Sequence, residues 1–418
     1  INRHTSLDIR YVGSKGTKLI RGADINERNI FENGILDAFL VTQAGGNSPL
    51  LDRIFNGLNV AGLGVVNGST ITGSDAVRAI STTQAHLAGH NVAQFADYLA
   101  TTTQFTNVRG GLLRRAGLPE NFVMVNPQFS SARLAGNYAN STFHSLQLDL
   151  VRRFASGWTV QSNYTWSKAI GEEDGDGDEL NRSYRSGRDR SLDKKVLGFD
   201  LTHVMRNSGT FELPVGPGKK FLSGSRGPLA RFVERWQIGG IVNFFSGSPI
   251  SIFSGRASFN SFNAASTPAT AVADVARSLG TLQRVGNGVI YFGGLSQSLD
   301  PSIANLTTRN NIRSLSNLQS VQDESGRTLF VNPLPGSPGT MGLGFLRGPG
   351  AVRFDLNILK RVRVTETVNL EFRADAISAL NRPNFSNPNG DINSVNFGRI
   401  TGTDDGARIV VVSARINF

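Results

Sequence analysis

Apolar and polar residues alternate strictly along several stretches of the chain, the period of a β-strand with two unlike faces. Counting back from the end by twos gives Phe418, Ile416, Ala414, Val412 and Val410, interleaved with Asn417, Arg415 and Ser413. Val352, Phe354, Leu356 and Ile358 alternate with Arg353, Asp355 and Asn357, and Val368 to Ala376 alternate with Asn369, Glu371, Arg373 and Asp375. Upstream, Leu146, Leu148 and Leu150 lead to a turn at Ser156-Gly157. The return strand then puts Trp158, Val160, Tyr164 and Trp166 on one face. Less regular strands are expected at Leu7–Tyr11, at Phe199–Leu213 with a break at Gly209 and a stop at Pro214, and from Trp236 to Phe244. About eight strands of roughly ten residues or more follow from this pattern.

The connections between these strands sort by length. Links at 155–157, 361–367 and, somewhat longer, 214–231 are short, while links at 13–142, 169–198, 246–350 and 380–406 are long. With alternating strand direction, all the short links fall on one side and all the long ones on the other. That asymmetry belongs to transmembrane antiparallel outer-membrane β-barrels, and a soluble sandwich has no reason to adopt it. Within the long links, Asp75–Ala100 carries Val77, Ile80, Leu87, Phe95 and Leu99 at helical spacing and reads as a surface helix. The Ile30–Ala44 region reads as a second, and 254–350, rich in Gly, Ser, Asn and Ala, as an irregular outer loop.

Composition agrees with this picture. Hydrophobic residues make up 39% and charged residues 18% of 418, both below the usual globular shares of about 45–50% and about 25%. No run approaches the roughly 18 apolar residues of a membrane helix, whereas a barrel strand hides its apolar residues at every second position. There is no cysteine, which excludes disulfides, thiolate metal sites and cysteine nucleophiles. The net charge of +11 is spread singly along the chain. It forms no basic stripe for nucleic acid and suits an anionic lipopolysaccharide surface or an anionic ligand. The sequence begins at Ile1-Asn2-Arg3-His4 without Met or an apolar leader, as a fragment would.

Six stretches resemble the barrel of Oar-like TonB-dependent receptors. They are Tyr11-Val12-Gly13-Ser14-Lys15-Gly16-Thr17-Lys18-Leu19; Phe143-His144-Ser145-Leu146-Gln147 with Tyr164-Thr165-Trp166-Ser167-Lys168; Leu346-Arg347-Gly348-Pro349-Gly350; Leu380-Asn381-Arg382-Pro383-Asn384-Phe385; and Phe397-Gly398-Arg399-Ile400. Each alone is a weak pattern; their order and spacing together are specific. The resemblance implies a longer parent with a carboxypeptidase-regulatory-like domain, a plug and about twenty-two strands. Residues 1–418 would supply the C-terminal portion of that barrel, without plug or regulatory-like domain. It also implies uptake or sensing of an unidentified ligand at the outer membrane of a didermal bacterium, coupled to TonB through the N-terminal part. The barrel assembly machinery would read the last strand through Val410, Val412, Ala414, Ile416 and Phe418. A passive channel and a surface or adhesion protein anchored by its barrel are the alternatives.

Candidate chemistry is sparse. Asp174, Asp176 and Asp178 alternate with Gly175 and Gly177 and could wrap Ca²⁺, but the twelve-residue loop with its closing Glu is lacking, and a solvated acidic loop is the preferred reading. His86 and His90 lie four apart on the expected helix and could face one metal ion, without a Glu to complete a hydrolase motif. His4, His144 and His203 sit singly on strands. Gly62-Leu63-Gly64 and Gly216-Pro217-Gly218-Lys219-Lys220 miss the nucleotide-binding patterns, and no Gly-x-Ser-x-Gly elbow occurs. The expectation is therefore no enzyme and no cofactor. Trp158, Tyr164, Trp166 and Trp236 are expected at membrane interfaces. Arg10, Arg353, Arg373 and Arg415 are expected on the lumen face, either attracting an anion or plug or, by the preferred reading, simply paired with Asp8, Asp355, Glu371 and Asp375.

Overall fold

The computed structural model describes residues 3–174, 182–260, 264–277, 279–286 and 288–418. Eight long strands form one antiparallel meander in chain order: β1 (Thr5–Asp24), β2 (Arg133–Ala155), β3 (Trp158–Gly171), β4 (His203–Glu212), β5 (Trp236–Phe245), β6 (Ala351–Arg363), β7 (Asn369–Ile377) and β8 (Ile409–Asn417). A two-residue strand, Lys195–Val196, adds to the outer end of β3. Among the described residues β1 pairs with no other strand than β2, apart from one isolated bridge from Gly22 to Ser183, and β8 with none other than β7, so the sheet is open.

The register carries the alternation across the whole sheet. Ile9, Leu148, Tyr164, Met205, Phe244 and Val352 lie in one cross-strand row, and Phe211, Ile238, Ile358, Ala374 and Val412 in another. The opposite face carries rows such as Asp8, Asp149, Asn163, Arg206, Asn243 and Arg353, with exceptions such as Ile241 and Leu359. A slip of one residue in any strand would invert its faces, so the two-faced pattern itself fixes the register. At the β2–β3 hairpin, Ser156 (φ 56) and Gly157 (φ 90) both occupy the left-handed region. A two-residue turn needs this to match the strand twist.

Connections 156–157, 213–235 and 364–368 lie at one end of the sheet and 25–132, 172–202, 246–350 and 378–408 at the other. The asymmetry read from the sequence is therefore present. Two strand expectations change. At 20 and 23 residues β1 and β2 are about twice the 9–11 residues a membrane crossing needs, so their hairpin continues well beyond it. Gly209 does not break β4: its backbone pairs with Val160 on one side and Gly240 on the other. The strand starts at His203 because Asp200 is turned into the rim, where it serves other loops.

The long connections are folded bodies. Between β1 and β2 lie six helices: α1 (Ile35–Gln43), α2 (Pro49–Phe55), α3 (Gly73–Ala79), α4 (Ser81–Ala88), α5 (Val92–Thr101) and α6 (Gly111–Arg115). They close on a core including Phe39, Leu51, Phe55, Leu87, Phe95 and Leu112, joined by Leu306 and Ile312 from the 246–350 connection. The helix expected within Ile30–Ala44 is α1. The single surface helix expected over Asp75–Ala100 is instead three helices. They are interrupted at Ile80, whose backbone is extended, and at Gly89-His90, where His90 takes φ 58. Val77, Leu87, Phe95 and Leu99 are wholly buried. Nor is 254–350 irregular. Thr270–Ala271, Thr328–Val331, Gln319–Asp323 and Leu295–Leu299 pair as a small sheet. Its core includes Ile252, Phe292, Val321, Phe330 and Leu346, completed by Ile392 from the last connection.

Candidate functional site

The polar face of the sheet forms a groove of about 700 Å³ lined by Thr159, Gln161, Ser208, Thr210, Asn357 and Asp375 among others. Its hydroxyls and amides bond across strands: Thr159 to Thr210 at 3.0 Å, and the Asn163 amide donating to Asp149 at 2.8 Å. Arg10, Arg353, Arg373 and Arg415 all fall on this face. Arg10 lies 3.4 Å from Asp8, Arg353 3.5 Å from Asp355, and Arg373 2.8 Å from Asp375. Arg415 stands opposite Glu371, which also pairs with Arg361 at 2.9 Å. Arg10, Arg353 and Arg373 therefore each have a carboxylate within ion-pair distance, while Arg415 faces Glu371 by strand register alone. Such half-exposed pairs stabilise by at most about 1 kcal/mol, and they leave no uncompensated positive stripe along the face.

The apolar face separates the four marked aromatics into two levels. Trp158 sits beside the tight turn, with the Arg152 guanidinium 3.9 Å from its ring centre. Trp236 opens β5 at the same end, its indole N–H donating to the Phe232 carbonyl at 2.8 Å. Tyr164 and Trp166 lie toward the other end, where Tyr164 bonds His203 Nδ1 at 2.8 Å and Tyr11 bonds His144 Nδ1 at 2.6 Å. Eight residues from Trp158 to Trp166 span about 27 Å of strand, or about 19 Å of depth at a 45° tilt, within an apolar band of about 25 Å.

At the outer rim, Arg21 near the end of β1 enters a buried ionic cluster built by residues 172–174 and 182–195. Its guanidinium, only 5% exposed, lies 3.2 Å from Asp193 and 3.7 Å from Glu173, and also donates to the Glu172 carbonyl. The Tyr184 ring lies beneath it at 4.1 Å, and the Tyr184 hydroxyl donates to the Glu172 carboxylate. Arg185 pairs with the same Asp193 at 3.5 Å, and Arg182 with Glu173 at 3.2 Å. Burial and the Glu172 charge raise the Tyr184 pKa; burial lowers that of Arg185, against the pull of Asp193. The cluster borders a cavity of about 450 Å³ that also touches Lys195, Ser251 and Phe253. Charges of both signs are nearly balanced, so the cavity can present a donor or an acceptor to a polar group. No element of this cluster except the acidic run stands out in the sequence, because Arg21, Tyr184 and Asp193 meet only on folding.

Of the calcium candidates, Asp176 and Asp178 lie outside the described residues. Asp174 is committed to the Lys195 ammonium and to the Gly198 N–H at 2.7 Å. Burial pushes its pKa up, but these donors and Arg182 together hold it below the ordinary value. His86 and His90 do not share a helix face, because the helix ends between them; His90 instead has a ring nitrogen 3.3 Å from the Pro333 carbonyl. Among the described residues no group of three or more His, Cys, Asp or Glu side chains is arranged to hold a metal. Val410, Val412, Ala414 and Ile416 lie on the apolar face of β8, and Phe418 follows almost fully exposed.

A family model described as an outer membrane beta barrel domain matches residues 1–410. No curated protein and no solved structure matches the chain.

Proposed function

The chain belongs to the outer membrane beta barrel domain family, which places it in the outer membrane of a Gram-negative bacterium, and from that premise we propose that it is the C-terminal barrel portion of an Oar-like TonB-dependent receptor or transporter. The observation that supports this reading is the folding of the outer connections. A barrel serving as a simple pore needs only short loops, whereas here two cored bodies and a charged cavity stand above the strands. The ligand is captured by these bodies and passes through, or is sensed at, a polar lumen.

The open sheet has two edges that need partners, which the larger barrel of this reading supplies. Unpaired N–H and C=O groups on a strand edge cost several kcal/mol each within a bilayer, so β1 and β8 require further strands or each other. The partners in this reading are outer-membrane lipid and lipopolysaccharide, the assembly machinery, and TonB through an N-terminal plug-bearing part.

Comparison of the native strain with a deletion, with and without an uncoupler or TonB, tests the proposal on whole cells offered radiolabelled candidate ligands. Accumulation that needs the protein, TonB and the proton gradient is the expected result. Accumulation indifferent to both energy and TonB would establish a passive channel instead. Loss of surface adhesion without any uptake defect would establish an anchored surface protein.

A further inference from the structure

The 213–235 connection is unlike the other two at its end of the sheet. It carries Lys219, Lys220, Arg226, Arg231 and Arg235 against one acid, Glu234, whereas 156–157 and 364–368 carry no cation. It also exposes four large apolar side chains: Phe221 (54%), Leu222 (55%), Leu229 (56%) and Phe232 (70%). Two of them lie on a short helix, α7 (Gly227–Val233), started by Pro228 in its first turn. Exposing such side chains to water is unfavourable, and full burial of each stabilises by about 1.5–3 kcal/mol. Basic and apolar residues together are the composition of a segment lying at a membrane surface.

Between α7 and the apolar face of β5–β8 runs a groove of about 540 Å³, walled by Phe232, Trp236, Ile358, Phe372 and Val412, with Arg231 and Lys360 at its margin. Lys360 stands on the lipid-facing side of β6, directly across from Trp236 in register. A lysine there is costly at the bilayer midplane and nearly free of cost at the interface. Its ammonium is drawn toward that interface, bonding the Glu234 carbonyl and lying 5.5 Å from the Trp236 ring centre. Arg231, 54% exposed, is tethered at 3.3 Å to Glu234.

We propose that this groove is a binding site for an acidic phospholipid of the inner leaflet, its phosphate held by Arg231 and Lys360 and an acyl chain lying along Phe232, Trp236 and Phe372. The proposal takes the short-connection end as periplasmic but does not depend on the transport reading. Charge complementarity selects the ligand: the connection has four net positive charges, and the inner leaflet offers anionic phosphates at that depth. The same segment would order the barrel's lower edge against its lipid annulus.

The test uses the folded protein in phosphatidylcholine vesicles containing spin-labelled phosphatidylglycerol or spin-labelled phosphatidylcholine, reading the motionally restricted fraction. The expected result is a preference for phosphatidylglycerol that falls about fivefold for each cation removed in R231Q and K360Q. R231K with K360R should restore it, and heat-modifiable migration reports folding. Equal restriction of both lipids would overturn the proposal. So would a preference that survives the R231Q/K360Q pair but is lost on neutralising Lys219, Lys220 and Arg226, which would reduce it to diffuse attraction. Selective retention of added lipopolysaccharide over phosphatidylglycerol would also overturn it. None of these readings involves energy or uptake, so they stand or fall apart from the transporter assignment.

Discussion

Asp200 and Arg347 join two outer connections to the top of the sheet. One Asp200 carboxylate oxygen accepts from Arg347 Nη2 at 2.6 Å, the other accepts the Ala169 N–H of β3 at 2.6 Å, and the Arg347 guanidinium also donates to the Asp200 carbonyl at 3.1 Å. The Asp200 side chain is 1% exposed, so it depends on these donors in place of water. Arg347 belongs to a short strand, Leu346–Arg347, that pairs with Pro249–Ile250 at the start of the same connection. The pair therefore ties residues 246–350 to 172–202 and both to β3.

Arg347→Ala leaves a buried carboxylate with only the Ala169 N–H and the Thr202 hydroxyl, the latter at 3.5 Å, and removing one partner of a buried pair destabilises by about 3–5 kcal/mol. Because the strands below are paired independently, the loss should be local. Hydrogen exchange should accelerate in 246–253 and 343–350 while exchange in β4–β7 stays unchanged. Unaltered protection at the rim would show that the pair contributes little to holding the loops.

The helical body has a contact of a different kind. The Gly73 amide donates to the Asp52 carboxylate at 2.6 Å, and a Cβ at Gly73 would lie 2.0 Å from the Leu51 carbonyl oxygen and 2.5 Å from the Asp52 nitrogen. Both obstacles are backbone, so α2 and α3 would have to separate. Gly73→Ala is expected to destabilise this body by roughly 1–3 kcal/mol or more, read as earlier thermal loss of the helical circular-dichroism signal with the strand signal retained. Coincident melting identical to the native protein would contradict the close approach.

How far the sequence reaches is visible in these same elements. The strands are legible because each one repeats its own evidence every two residues: Val352 to Ile358 says the same thing four times, and the structure pairs them with Phe244, Val242, Gly240 and Ile238 as the alternation requires. The sorting of short and long connections is legible for the same reason. The outer bodies are not, since their cores join residues as distant as Phe39 and Ile312, and no local period records that meeting. Local rules even mislead there. The four-residue spacing of His86 and His90 signals one helix face only if the helix continues, and Gly89 ends it. Gly209 reads as a break because glycine packs poorly in strands, yet its backbone serves two neighbours. The rim cluster is illegible for the reason the cores are: Arg21, Tyr184 and Asp193 come from separate stretches of the chain and meet only on folding.

The burial of His86 is expected to make the helical body sensitive to acid. Burial lowers its pKa to about 4, with Asp97 opposing, and burial lowers that of His90 in the same direction. A histidine kept neutral in the fold and free to protonate when unfolded stabilises the fold above its ordinary pKa of about 6.5. That contribution is lost as pH falls toward 4, because the unfolded chain then binds more protons. The His86 shift corresponds to roughly 3 kcal/mol. Protection factors in α4 and α5, exchange rates divided by the intrinsic rate at each pH, should therefore fall between pH 7 and pH 4.5, and His86→Gln should flatten that dependence. A profile unchanged by the substitution would assign the acid sensitivity elsewhere.

Phe418 is expected to separate assembly from stability. In β8 the last register partners are Asn417 and Asn369, and Phe418 beyond them is 97% exposed. Its side chain supports almost nothing within the fold, so deleting it should leave the thermal stability of protein refolded in detergent within about 0.5 kcal/mol of the native value. In the cell the expected outcome differs: if the assembly machinery reads the terminal aromatic, the amount of folded protein in the outer membrane should fall severalfold. A matched loss in both experiments would make Phe418 a packing residue after all, and normal membrane levels after deletion would remove the terminal strand's role as a recognition signal.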